Sequence, residues 1–180
     1  MRTPKLKEFF YWAVRRSFYD LNLQERKIID YIVCLLAEFA RTDNLYKIKN
    51  AQGQRLETIV EMLLEAKSMS SMPYDLDALR EREIRKHIGD YSLFMTGIFK
   101  EYVERHAFFD LYLEEGRKAY LFVFDFDQEH YIPGSSLFFE LSRRFEFYAG
   151  ALNYMKKTFF RERDPHDPFT DFSRQLTRLS

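Results

Sequence analysis

An all-α fold, a single-domain bundle of five to six amphipathic helices, is what this sequence of 180 residues predicts. Three observations carry that expectation. Apolar residues recur in threes and fours through most of the chain, the period of an amphipathic helix. Gly 6 and Pro 5 together amount to about half the usage of an ordinary protein, which favours long helices over turn-rich β structure. Aromatic residues reach 18%, mostly Phe 19 and Tyr 12, and each ring buries a large area where helices meet.

The elements follow in order. Thr3-Pro4 opens the first helix, with Thr3 as cap and Pro4 at the position where its missing N–H costs nothing. That helix runs to about Asp20 and buries Leu6, Phe9, Phe10, Ala13 and Val14. Asn22 and Glu25 resemble a capping box opening a second helix to Ala40, apolar over a wide face through Ile28, Ile29, Ile32, Val33, Leu36 and Phe39. Cys34, the single cysteine, lies in its apolar run and reads as a small core hydrophobe. Residues 41–54 break the pattern, and Asn50-Ala51-Gln52-Gly53 marks a turn with a short extended piece near residues 46–54.

Leu56, Ile59, Val60, Leu63 and Leu64 place a third helix, and Lys67 to Pro73 reads as a linker. Asp75 then caps a helical stretch reaching Arg105. Either Gly89 ends a helix within it, or the helix continues and Gly89 and Gly97, with Leu93 between them, open a shallow groove for a neighbouring helix or a flat ligand. Gly116 is read as the end of a helix holding Phe108, Leu111 and Leu113. Ala119 to Phe124 reads as buried helix, and Tyr131-Ile132-Pro133-Gly134 as a turn. A last long helix over residues 136–160 carries Leu141, Phe145, Tyr148, Leu152, Met155 and Phe159 at spacings alternating between four and three. Residues 161–180 form a polar tail to this single domain of residues 1–180.

Charge excludes more than it identifies. Lys+Arg 28 against Asp+Glu 28 leaves no global field to draw the chain onto nucleic acid or an anionic membrane, so no DNA, RNA or membrane partner is expected. No stretch approaches the roughly 20 apolar residues that span a bilayer, and no apolar run follows Met1 to Glu8 as in a secretory leader. With one cysteine, the expectation is a cytoplasmic protein.

Arg82-Glu83-Ile84-Arg85-Lys86-His87 sets an arginine and a histidine five positions apart in a helical context. The arrangement resembles the R-x4-6-H motif of HEPN-type ribonucleases, and by that resemblance Arg82 would hold a phosphate and His87 would move the proton. The likeness covers six residues. The competing reading packs His87, hydrogen-bonded, at the edge of the stripe of Ile84, Ile88 and Tyr91. Glu83, His87, Asp90, Asp127 and His130 are metal-ligating types, but the chain holds no Glu-x-x-His, so neither a metal nor another cofactor is expected. Phosphate-binding loops, dinucleotide fingerprints, nucleophile elbows and Cys-x-x-Cys are all missing.

What stands out instead is ring surface. Phe138, Phe139, Phe147 and Tyr154 lie off the seam of the last helix, more apolar surface than one buried face requires. The expected function is therefore a protein–protein interaction or regulatory module. It would present an aromatic-rich helical surface to a protein partner or to a second copy of itself. The alternative is a small helical-bundle enzyme centred on Arg82 and His87.

Overall fold

A computed structural model describes residues 3–70 and 75–160 of the chain. Nine helices lie among the described residues: α1 (Thr3–Asp20), α2 (Arg26–Phe39), α3 (Thr42–Leu45), α4 (Ile59–Met69), α5 (Asp75–Ile98), α6 (Lys100–Arg105), α7 (Phe109–Glu129), α8 (Ser136–Arg143) and α9 (Phe145–Phe159). The fold is all-α. Six helices have 11 residues or more, and α3, α6 and α8 are the short connecting pieces. The expected extended piece is a single antiparallel bridge between Lys49 and Arg55, closed by the Asn50 side chain accepting from the backbone N–H groups of Gln52 and Gln54. The tail, residues 161–180, lies outside the described residues.

Local chemistry explains most helix ends. Thr58 caps α4 in a full capping box with Glu61, satisfying two otherwise orphan N–H groups. Asn22 does not start α2. It stands in the left-handed region (φ 57) and closes α1, with the Leu23 N–H donating to the Phe18 carbonyl and the Asn22 N–H to that of Tyr19. The same closure ends α6 at Ala107 and α7 at Tyr131.

Three expectations are corrected by packing. Gly116 lies inside α7, where a Cβ would fall 2.5 Å from Cζ of Phe145. The last long helix is two, α8 and α9, parted at Arg144 (φ −115, ψ 29). Cys34 is exposed, because a helix cannot turn six consecutive apolar residues inward. Val60 and Leu64 are also exposed, α4 burying Ile59, Met62, Ala66 and Met69 instead.

One contiguous apolar cluster runs from Phe10 on α1 to Met155 on α9. Its centre is α5, whose residues 87–98 are all buried. α7 runs antiparallel to α5 and is fixed to it at two polar points. Arg82 clasps Asp127 through Nε (2.6 Å) and Nη2 (2.8 Å), and Asp90 accepts from the Tyr120 hydroxyl at 2.8 Å. Asp90 also accepts from Tyr31 of α2 at 2.5 Å and from Lys86 at 2.8 Å. Burial and the facing Asp90 charge push the Tyr31 and Tyr120 phenols well above their ordinary pKa, so both remain donors. Burial works against the Lys86 ammonium, but the Asp90 charge and hydrogen bond outweigh it and raise its pKa. Glycines set the depth of contact between these pins. A Cβ on Gly89 would lie 2.6 Å from the Tyr120 ring, and one on Gly97 2.6 Å from Cβ of Leu152.

Two predictions follow from this packing. Gly116→Ala is expected to cost about 1–3 kcal/mol by overpacking Phe145, whereas Gly150→Ala, whose Cβ meets nothing within 4 Å, gains up to about 1 kcal/mol; urea unfolding of both variants measures the contrast. Asp90→Ala strands the Lys86 charge and two phenols, and is expected to lose about 3–5 kcal/mol. Tyr31→Phe, which leaves Asp90 two donors, is expected to lose about 1 kcal/mol in the same measurement.

Candidate functional site

The residues singled out by sequence fall into three surroundings. Arg82 and His87 both belong to α5 but serve different contacts. Every nitrogen of the Arg82 guanidinium meets a carboxylate, Nη1 taking Glu83 at 2.5 Å and the other two Asp127. Its pKa is raised, first by the hydrogen bonds to Asp127. His87 is 1% exposed, edge-on to Phe39 and stacked on Tyr91. Its Nε2 lies 2.9 Å from the Leu45 carbonyl; a carbonyl only accepts, so Nε2 carries the proton, and Nδ1 is buried without a partner among the described residues. Desolvation lowers the His87 pKa to about 4. Asp90, Glu83 and Asp127 are each engaged with cations or phenols, and no group of three metal-ligating side chains gathers among the described residues.

The glycine pair lies in the interior. Leu93 is fully buried, Gly89 is covered by Tyr120 of α7 and Gly97 by Leu152 of α9, so the chain's own helices occupy the notch. Of the four rings off the seam, Phe138 also faces inward, against Tyr31 and Tyr120 and under the Arg82 guanidinium. Phe139, Phe147 and Tyr154 are 45%, 40% and 39% exposed.

Phe147 and Tyr154 border an open cleft of about 610 Å³. α9 supplies both rings and Gly150, α7 supplies Arg117, α8 its last residue Arg143, and the α8–α9 break Arg144. The break is what builds the site, since it turns Arg144 back over the rings of Phe147 (4.5 Å) and Tyr148 (5.7 Å). Arg143 and Arg144 share the Glu140 carboxylate at 3.0 and 3.5 Å. Arg117 makes no ion pair among the described residues. Tyr154 reaches Asp20 at the end of α1 through its hydroxyl at 3.3 Å. Other basic side chains are paired: Arg16 with Asp20, and Lys156 and Lys157 with Glu101.

A second cavity, of about 580 Å³, opens where α4, α5, α6 and α7 meet the segment after α3. Tyr46, Tyr91, Tyr102 and Tyr112 turn into it, with Met95 and Phe99 among the apolar residues of its wall. Sequence reasoning missed this chamber, because its tyrosines lie on four separate segments and form no motif. Comparison of the chain with family models, with curated proteins and with solved structures finds no match.

The His87 geometry makes a pH prediction. Its folded-state pKa of about 4 lies below the ordinary 6.5, so the neutral ring contributes stability that is complete above pH 6.5 and lost as pH falls through that window towards 4. Between pH 7 and pH 5 the loss is expected to be about 2 kcal/mol. Urea unfolding at the two pH values checks it, with His87→Gln, which keeps a donor for Leu45 but does not titrate, expected to flatten the difference.

Proposed function

We propose that this chain is a protein-interaction module that docks an acidic, apolar-flanked segment of a partner protein in the cleft between α7, α8 and α9. The observation that supports the reading is the convergence of Arg117, Arg143 and Arg144 with the exposed rings of Phe147 and Tyr154. Exposed aromatic residues and arginine are the types that dominate interface hot spots. Guanidiniums stacked on rings present a planar, pre-oriented fork to a carboxylate. Within the lining three guanidiniums face one carboxylate, Glu146.

Charge also selects among partners. A second copy docked face to face through the same cleft would set arginines against arginines, which disfavours a two-fold dimer here. A polyphosphate backbone would meet Glu146 and the Glu140 carboxylate beside it, on a chain of zero formal charge. A short protein segment, with its own carboxylates spaced apart by apolar residues, suits the cleft better.

The test is fluorescence anisotropy with a labelled peptide of alternating glutamate and leucine or phenylalanine, a lysine-for-glutamate counterpart, and oligouridine. The acidic peptide is expected to bind in a salt-sensitive way, and Arg144→Glu to weaken it roughly tenfold or more. Equal binding by the charge-reversed variant, or tighter binding of the lysine peptide or of oligouridine, overturns the reading.

A further inference from the structure

We propose that the tyrosine-lined chamber between α4, α5, α6 and α7 is a small-molecule site for a flat aromatic carboxylate. Its volume of about 580 Å³ lies inside the range of roughly 300–1,000 Å³ typical of ligand pockets. The wall is built from rings and a flexible thioether, Tyr91 and Tyr112 with centroids 5.9 Å apart, and Phe99 with Met95 beyond them. Ring stacking and sulfur–aromatic contact favour a planar aromatic body over an alkyl chain.

The polar groups specify the other end of the ligand. Tyr46, Tyr91 and Tyr112 bring three phenols to the lining. A phenol hydroxyl carries one proton that it can donate to a guest's acceptor. Burial raises all three phenol pKa values, which keeps them donors rather than phenolates across the ordinary pH range. Arg105 stands in the lining with no ion pair among the described residues, so a cation and phenolic donors share the wall and suit an anionic acceptor. Glu57 also belongs to the lining, where its charge acts on Tyr46. An anionic head is thereby directed to the Arg105 side. The wall is firmly held from behind, since His87 stacks on Tyr91 and anchors the Leu45 carbonyl.

Isothermal titration of the full chain with 2-naphthoate, 2-naphthylmethanol and 2-naphthylmethylammonium tests the assignment. Saturable binding of 2-naphthoate is expected, about tenfold tighter than the alcohol, with Arg105→Gln bringing the two within about twofold and leaving the alcohol's affinity in place. Leu111→Trp, filling the chamber from its α7 wall, is expected to abolish binding of both. Val60→Trp, at an exposed lining position, serves the same purpose if Leu111→Trp fails to fold. No saturable binding, an ammonium probe as tight as the carboxylate, or binding indifferent to the folded tryptophan variant overturns the proposal.

Discussion

The interior depends on one buried carboxylate. Asp90 sits in the middle of α5, 4% exposed, among residues that are otherwise almost wholly apolar. A charge in that position is tolerated only with its lone pairs occupied, and the donors come from α2 through Tyr31, from α7 through Tyr120 and from α5 itself through Lys86. An apolar stripe alone lets helices slide by a turn at modest cost. A carboxylate needing phenols from two particular helices does not, so Asp90 fixes which residues of α2 and α7 lie opposite it. Arg82, two turns earlier on α5, repeats the constraint with Asp127 near the end of α7.

Gly89 makes that arrangement possible. The Tyr120 ring approaches so closely that a methyl group at Gly89 would collide with it, and the approach is what brings the phenol to Asp90. Gly116 does the same for Phe145, and Gly97 for Leu152. These contacts place α9 against both α5 and α7, and hence place Phe145 at the start of α9. The break before it turns Arg144 over Phe147 and Tyr148. The surface cleft thus inherits its geometry from the glycine contacts of the core.

The same chain of dependence explains what sequence could and could not convey. Helical period reports burial, and Leu141, Phe145, Tyr148, Leu152 and Met155 are all buried as their spacing predicts. It does not report continuity, because seam residues stay in phase across a one-residue break, and the parting at Arg144 left no trace in the pattern. Gly116 was ambiguous for a different reason. A glycine marks a helix end or a close crossing equally well, and what decides here is a phenylalanine 29 positions later. The helix ends after Arg105 and before Tyr131 were legible, although the left-handed residue closing each is not a glycine. Arg82 and His87 show the converse. Their types and spacing were legible, but their partners, Asp127 and the Leu45 carbonyl, lie about forty residues away in opposite directions along the chain.

The unusual ring content acquires two different meanings once the core is filled. Phe10, Phe18, Phe39, Phe94, Phe145, Tyr120 and Tyr148 are fully buried and account for interior volume. Other rings line the two cavities. In the cleft, Phe147 and Tyr154 stand at the surface beside guanidiniums, Arg144 lying over the Phe147 ring. In the chamber, Tyr46, Tyr91 and Tyr112 stand in the wall, so the cavity is lined by phenols as well as by apolar side chains. Filling either space with aliphatic residues would preserve burial but not these donors. Packing therefore accounts for the buried rings, while the rings of the cleft and of the chamber stand where guanidinium and hydroxyl groups share the wall with them.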